Sequence, residues 1–154
     1  MLVKGHIPDQ EPMVSIGLVL PEDRVKSIPI TDIENNRSFE IDLSIGTKIF
    51  PTSIYKLSSI RAGRGFHWEK QISITVEGEL EIKIVEGYLF VINHISLEKY
   101  LICVATSEMS GECPQALLES QTVAARSWLL AAAEQKHADL EIDACNDDCC
   151  QRYQ

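Results

Sequence analysis

The chain has no long apolar run. Its longest uninterrupted stretches, residues 100–105 and 128–133, are six residues each, against the roughly 20 that a membrane-spanning helix needs, so no transmembrane segment is expected. The N-terminus, Met1-Leu2-Val3-Lys4-Gly5-His6-Ile7-Pro8, lacks a cationic region followed by an apolar core, and no secretory signal is visible. Positive charge is also scarce. Fourteen Lys+Arg against 23 Asp+Glu leave a net charge of -9, which repels a phosphate backbone and disfavours a nucleic-acid partner. Complete cysteine pairing within one chain is excluded, because five cysteines are an odd number.

What is present describes a globular chain. With 45% hydrophobic and 24% charged residues in 154 positions, the composition fits one folded domain or part of one. Residues 14–20, 39–45 and 72–76 alternate apolar and polar side chains, the period of a half-buried sheet. Residues 80–84 continue that pattern after a turn expected at Glu77-Gly78-Glu79, and residues 88–92 follow a turn at Glu86-Gly87. An antiparallel meander is the expectation, with Pro21, Pro29 and Asn35-Asn36 separating its early strands. The segment Arg61-Ala62-Gly63-Arg64-Gly65 reads as a mobile basic loop ahead of Phe66-His67-Trp68. It serves either as a plain strand connector or as an aromatic and basic surface that stacks on a sugar face.

The pattern changes after Asn93. Ser96 suits an N-cap and starts a short helix expected to reach about Ala105. Pro114 opens a longer helix through about Gln135, rich in Ala, Leu, Gln and Glu. On a helical wheel Leu117, Ala124, Trp128 and Ala131 share one face and only Glu119, Thr122 and Arg126 form a polar stripe, so this helix is expected to be buried. Gln121 then falls on the apolar side and needs an internal hydrogen-bond partner. Between the helices lies a polar joint, residues 106–111, with Glu108 at its centre; taken alone, Glu108 reads more readily as a capping or solvated residue than as a catalyst. The fold expected is α+β, a single domain over 1–154 with a β-rich part, 1–92, and a helical part, 93–154.

Three of the cysteines, Cys145, Cys149 and Cys150, crowd into six residues with His137 upstream, a grouping that points to metal or redox chemistry. Cys103 and Cys113 stand apart, as a disulfide in an oxidising compartment or as small buried apolar residues.

The run Asn93-His94-Ile95-Ser96-Leu97-Glu98-Lys99-Tyr100-Leu101, then Ser107-Glu108-Met109, then Ala116-Leu117 and Gln121-Thr122-Val123-Ala124-Ala125-Arg126-Ser127 resembles the stage II sporulation protein D and amidase-enhancer family. The resemblance covers about residues 93–153. It implies a peptidoglycan lytic transglycosylase, a lyase, whose catalytic acid matches Glu108, with Ser107, Gln121 and Arg126 as substrate-binding or site-supporting residues. It implies an extracytoplasmic place at the cell wall, glycan strands as substrate, and a cell-wall amidase or other wall-remodelling protein as partner. One carboxyl suffices for that chemistry: Glu108 protonates the glycosidic oxygen and its carboxylate then takes a proton from the sugar's own C6 hydroxyl, which closes a 1,6-anhydro ring. No second carboxylate is required, unlike in the hydrolases. The reaction asks for a raised Glu108 pKa, which burial beside Met109 would supply. The alternative function is a noncatalytic peptidoglycan-binding module that enhances an amidase.

The likeness extends into the cysteine cluster, where Cys149 stands for the family's second histidine and the stretch after His137 is longer by about two residues. His137, Cys145, Cys149 and Cys150 make a donor set suited to tetrahedral, structural zinc. Free thiols or a disulfide are the rival reading, although adjacent Cys149 and Cys150 are poorly placed to pair with each other. The family domain runs on beyond the position matching Gln154, so this chain is expected to hold an incomplete version of it.

Overall fold

Strict alternation over many residues builds strands longer than the turn residues within them suggest. In the computed structural model, which describes residues 2–3, 5–131 and 136–154, seven strands and two α-helices are found among the described residues: β1 Met13–Val19, β2 Ser27–Asp32, β3 Arg37–Asp42, β4 Lys48–Ala62, β5 Lys70–Val85, β6 Tyr88–Ser96, α1 Leu97–Met109, α2 Gln115–Ala131 and β7 Ala144–Cys145. The chain is α+β, as expected. It divides into two compact units, one of residues 1–16 with 95–154 and another of residues 17–94.

The second unit holds the antiparallel meander in the order β3-β2-β4-β5-β6. Along β5 the buried positions Ile74, Val76, Gly78, Leu80 and Ile82 alternate with outward ones, so a single face carries the apolar side chains. On β4, Ser53, Tyr55 and Leu57 are buried, but the next are Ile60 and Ala62. That change of phase coincides with a register shift between Leu57 and Ile60 and with a positive φ at Ser59, the marks of a β-bulge. The β5–β6 hairpin turns at Glu86 and Gly87, both with positive φ, as a two-residue turn between right-twisted strands requires.

Two of the expected breaks and one expected strand differ in the structure. Glu77-Gly78-Glu79 lies inside β5. Its glycine is needed for contact, not for turning: with φ of 121°, a Cβ there would stand 2.3 Å from the His94 carbonyl oxygen. The Asn93 amide fills the space, donating to the carbonyls of Glu77 at 3.1 Å and Glu79 at 3.2 Å. Pro29 likewise lies inside β2, whose pairing with β4 begins only at Ile30, so its missing N–H is not asked for in that ladder. The strand expected over 39–45 ends at Asp42, where the Asp42 carboxylate accepts from Ser44 N–H and opens a 3-10 turn over Leu43–Ile45.

The basic loop is partly structural. Arg61 and Ala62 finish β4, and the Arg64 side chain, nearly buried, makes two 2.7 Å bonds to Asp23 and a third to the Leu18 carbonyl. Phe66 and Trp68 stack on each other at 4.5 Å and remain about half exposed.

In the first unit, β7 neighbours β1. Asp143 secures the N-terminal stretch to the segment before the cysteines, accepting from Leu2 N–H at 2.6 Å, Ser15 N–H at 2.9 Å and the Ser15 hydroxyl at 2.8 Å. Helix α1 buries Leu97, Tyr100, Leu101, Val104 and Ala105, the i, i+3, i+4 stripe of an amphipathic helix. Its first turn is capped by Glu11, which accepts the Glu98 N–H at 3.0 Å, and not by the Ser96 side chain.

The second helix corrects an expectation. Only Ala125 and Leu129 of α2 are buried, while Leu117 is 42% and Val123 60% exposed. One i, i+4 pair is fully buried, Leu118, Trp128 and Leu130 are half-buried, and the other apolar positions are exposed. The expected continuation through residues 132–135 lies outside the described residues. No helix among the described residues is long and apolar enough to cross a membrane.

Candidate functional site

Glu108 is not in a joint between helices. Helix α1 continues past Ala105 and ends at Met109, where Ser110 takes a positive φ and its N–H bonds to the Thr106 carbonyl at 3.0 Å, closing the last turn. Ser107 and Glu108 therefore sit side by side on the final turns of a helix whose opposite face is core.

Both residues clasp the C-terminal segment. Glu108, half-buried, accepts the Arg152 N–H on Oε1 at 2.8 Å, and the Ser107 hydroxyl donates to the Gln154 carbonyl at 2.8 Å. Two more contacts hold the same segment from within. The Tyr100 hydroxyl donates to Gln151 Oε1 at 3.0 Å, and the Tyr100 ring stacks on Tyr153 at 5.3 Å. Gln151 Nε2 in turn donates to the Ala125 carbonyl at 3.3 Å, which joins α1, α2 and residues 151–153 through one amide. In the sequence Tyr100, Gln151 and Tyr153 are letters of a pattern with no assigned work; their aromatic or amide character beside apolar neighbours is the available signal. Asp143 carries no signal at all, because nothing local distinguishes it from a solvated acid.

The expected supporting residues are distributed differently. Arg126 Nη2 reaches Glu98 Oε2 at 2.5 Å, an ion pair between the two helices with both side chains well exposed. Gln121 is half-buried, and its side chain makes no hydrogen bond among the described residues. It lies one turn before Ala125 on the inward-facing stripe of α2, yet its expected internal partner is not found among the described residues.

Just before the clasped segment, His137, Cys145, Cys149 and Cys150 come together, with one ligand atom from each within 4.8 Å of all the others. Cys145 Sγ lies 3.2 Å from Cys149 Sγ, and Cys149 Sγ lies 3.7 Å from His137 Nε2. A tetrahedral ion held at ~2.3 Å from each sulfur would set sulfur–sulfur separations of about 3.8 Å, so the group fits a metal ion after small adjustments. His137 belongs to the group despite the longer stretch after it, because the 3-10 turn Ala138–Leu140 takes up part of the extra length. All five cysteines are unpaired. The crowded thiols divide their protons unequally. Hydrogen bonds from Cys145 and then Cys149 push Cys150 down, to about 3, while contacts with Cys149 and Cys150, followed by burial, push Cys145 up. Such a cluster readily presents a thiolate to a cation. Lys136 Nζ donates to the Cys149 carbonyl at 2.7 Å and adds a positive charge at its edge.

The cluster and Glu108 are thus joined by one short piece of chain, with only Gln151 between Cys150 and the residue whose N–H holds the carboxylate. A family model described as Stage II sporulation protein matches residues 85–154. No curated protein and no solved structure matches the chain.

Proposed function

We propose, from the match of residues 85–154 to the Stage II sporulation protein family model, that the chain acts on the cell wall as a lytic transglycosylase with Glu108 as its acid. The observation that carries the reading is the placement of Glu108. One carboxylate oxygen is fixed by the Arg152 N–H, which leaves Oε2 for proton exchange with a substrate. In the forward step the Glu108 carboxyl gives its proton to the oxygen joining N-acetylmuramic acid to N-acetylglucosamine, and the bond from the muramic C1 to that oxygen breaks. The resulting carboxylate takes the proton of the muramic C6 hydroxyl as O6 bonds to C1, so the enzyme returns to its starting state and a 1,6-anhydro end is formed. Ser107 supports Glu108 from the adjoining position of α1, and Gln121 and Arg126 of α2 are assigned contacts with the glycan strand.

Zinc is proposed for the His137, Cys145, Cys149 and Cys150 group. Four protein donors close the coordination shell, so the ion would supply structure and not an activated water. Its role is to fix the loop that precedes Arg152, and through it the orientation of Glu108. Action outside the cytoplasmic membrane belongs to the same proposal.

The test is digestion of purified peptidoglycan, with mass spectrometry of the products. Wild-type protein is expected to leave anhydromuramic ends and Glu108→Gln none, because the amide still accepts the Arg152 N–H but has no acidic proton to give. An active Gln variant would eliminate Glu108 as the acid. Absence of cleavage by the wild type, with stimulation of an added amidase, would favour the enhancer reading.

A further inference from the structure

The second unit contains a concavity outside the residues matched by the family. It has a volume of about 600 Å3 and is lined by residues between Asp32 and Tyr55, a size within the ~300–1,000 Å3 usual for small-ligand sites. Its wall is aromatic. Phe39 of β3 stacks on Phe50 of β4 at 5.2 Å, and Tyr55 meets Phe50 edge-on at 6.5 Å. The Tyr55 hydroxyl is already committed to the Pro51 carbonyl at 2.6 Å.

Four charged side chains line the cavity, two of each sign, but they are not equally satisfied. Asp32 accepts from the Ser53 hydroxyl at 2.6 Å, from the Asn35 amide group at 2.8 Å and from the Asn35 N–H at 3.2 Å. Glu40 accepts from the Ser27 hydroxyl. Arg37 lies opposite Asp32 in the β2–β3 register and within reach of its field, yet it makes no ion pair or side-chain hydrogen bond among the described residues. Lys48 Nζ is held over the Phe50 ring at 5.0 Å and has no carboxylate partner among the described residues. The acids have protein donors, whereas Arg37 and Lys48, both exposed, have no acidic partner among the described residues.

We propose that this cavity binds a sugar ring bearing one carboxylate, with the ring against the Phe39 and Phe50 wall and the carboxylate on Arg37 and Lys48. A neutral sugar offers the two cations no charge, whereas a single carboxylate gives them one shared partner. The choice of a wall sugar, N-acetylmuramic acid, rests on the function proposed above; the demand for a single carboxylate does not.

N-acetylmuramic acid and N-acetylglucosamine share a ring and differ by the lactyl carboxylate, so the whole chain titrated with each by NMR isolates the charge. Muramic acid is expected to bind about tenfold more tightly, with an advantage that shrinks as salt rises. Arg37→Gln and Lys48→Gln should each reduce that preference, and Phe39→Leu should weaken both sugars; thermal melts confirm that the variants are folded. Equal affinities, or a preference unchanged in both cation variants, would overturn the site. Glycan cleavage without any sugar preference would sink this cavity and leave the function standing. Preference without cleavage would do the reverse.

Discussion

Tyr100 offers the sharpest test of how the C-terminal segment is held. Its side chain is fully buried, and burial, followed by the nearby thiols Cys150 and Cys145, pushes its hydroxyl well above the ordinary tyrosine range, so it stays a donor at any physiological pH. Tyr100→Phe keeps the stack on Tyr153 and removes one oxygen. Gln151 Oε1, in a residue only 8% exposed, then loses its donor. A lost bond with a stranded acceptor costs about 1–3 kcal/mol, and for a chain of this size each kcal/mol moves Tm by about 2–4 °C. A drop of roughly 2–12 °C is expected. Gln151→Leu should cost a similar amount, because it strands the Tyr100 hydroxyl and also removes the bond to the Ala125 carbonyl. The double variant has neither polar group left to strand, so its cost should fall short of the sum of the singles by about 1–2 kcal/mol. Urea unfolding of the four proteins, with m held constant, measures this. Additive losses, or a Tyr100→Phe protein as stable as wild type, would refute the clasp.

The other predictions concern separate parts of the chain. Protein prepared without added metal should carry about one equivalent of zinc, chelation should lower its Tm, and Cys145→Ser should cost more stability than Cys103→Ser; absence of metal with five reactive thiols would end the zinc proposal. Gly78→Ala should destabilise by about 2 kcal/mol or more, read from chemical denaturation, since its Cβ meets backbone at a positive φ. Arg126→Ala should change stability by less than about 1 kcal/mol, because its ion pair is exposed, while lowering any glycan cleavage; unfolding instead would make the arginine structural. The Glu11 carboxyl is held below its ordinary value of 4.5, first by the Glu98 N–H and then by the Ser96 side chain. Its contribution is therefore complete above about pH 4.5 and is lost as pH falls through the lowered value. Glu11→Gln should flatten that part of an acid-stability profile, and an unchanged profile would exclude the cap.

Local patterns were enough for the strand-then-helix order, for the Glu86-Gly87 turn and for the start of α1, because alternation, turn chemistry and capping sites act over a few neighbouring residues. The Ser-Glu-Met stretch and the grouping of His137 with three cysteines were also legible, since their residue types are rare and close together. What the sequence could not supply was what lies opposite. Gly78 looks like a turn until the Asn93 amide arrives from β6, and Glu11 looks like a loop acid until the first turn of α1 meets it. A wheel shows α2 as apolar nearly all round, but burial is set by how much neighbouring surface exists to cover it, and only Ala125 and Leu129 have that cover. Ser107, Glu108 and Tyr100 became parts of one clasp for the same reason. Their partners at Gln154, Arg152 and Gln151 are more than 40 residues away in the chain, and a hydrogen bond over that separation is decided by the tertiary path alone.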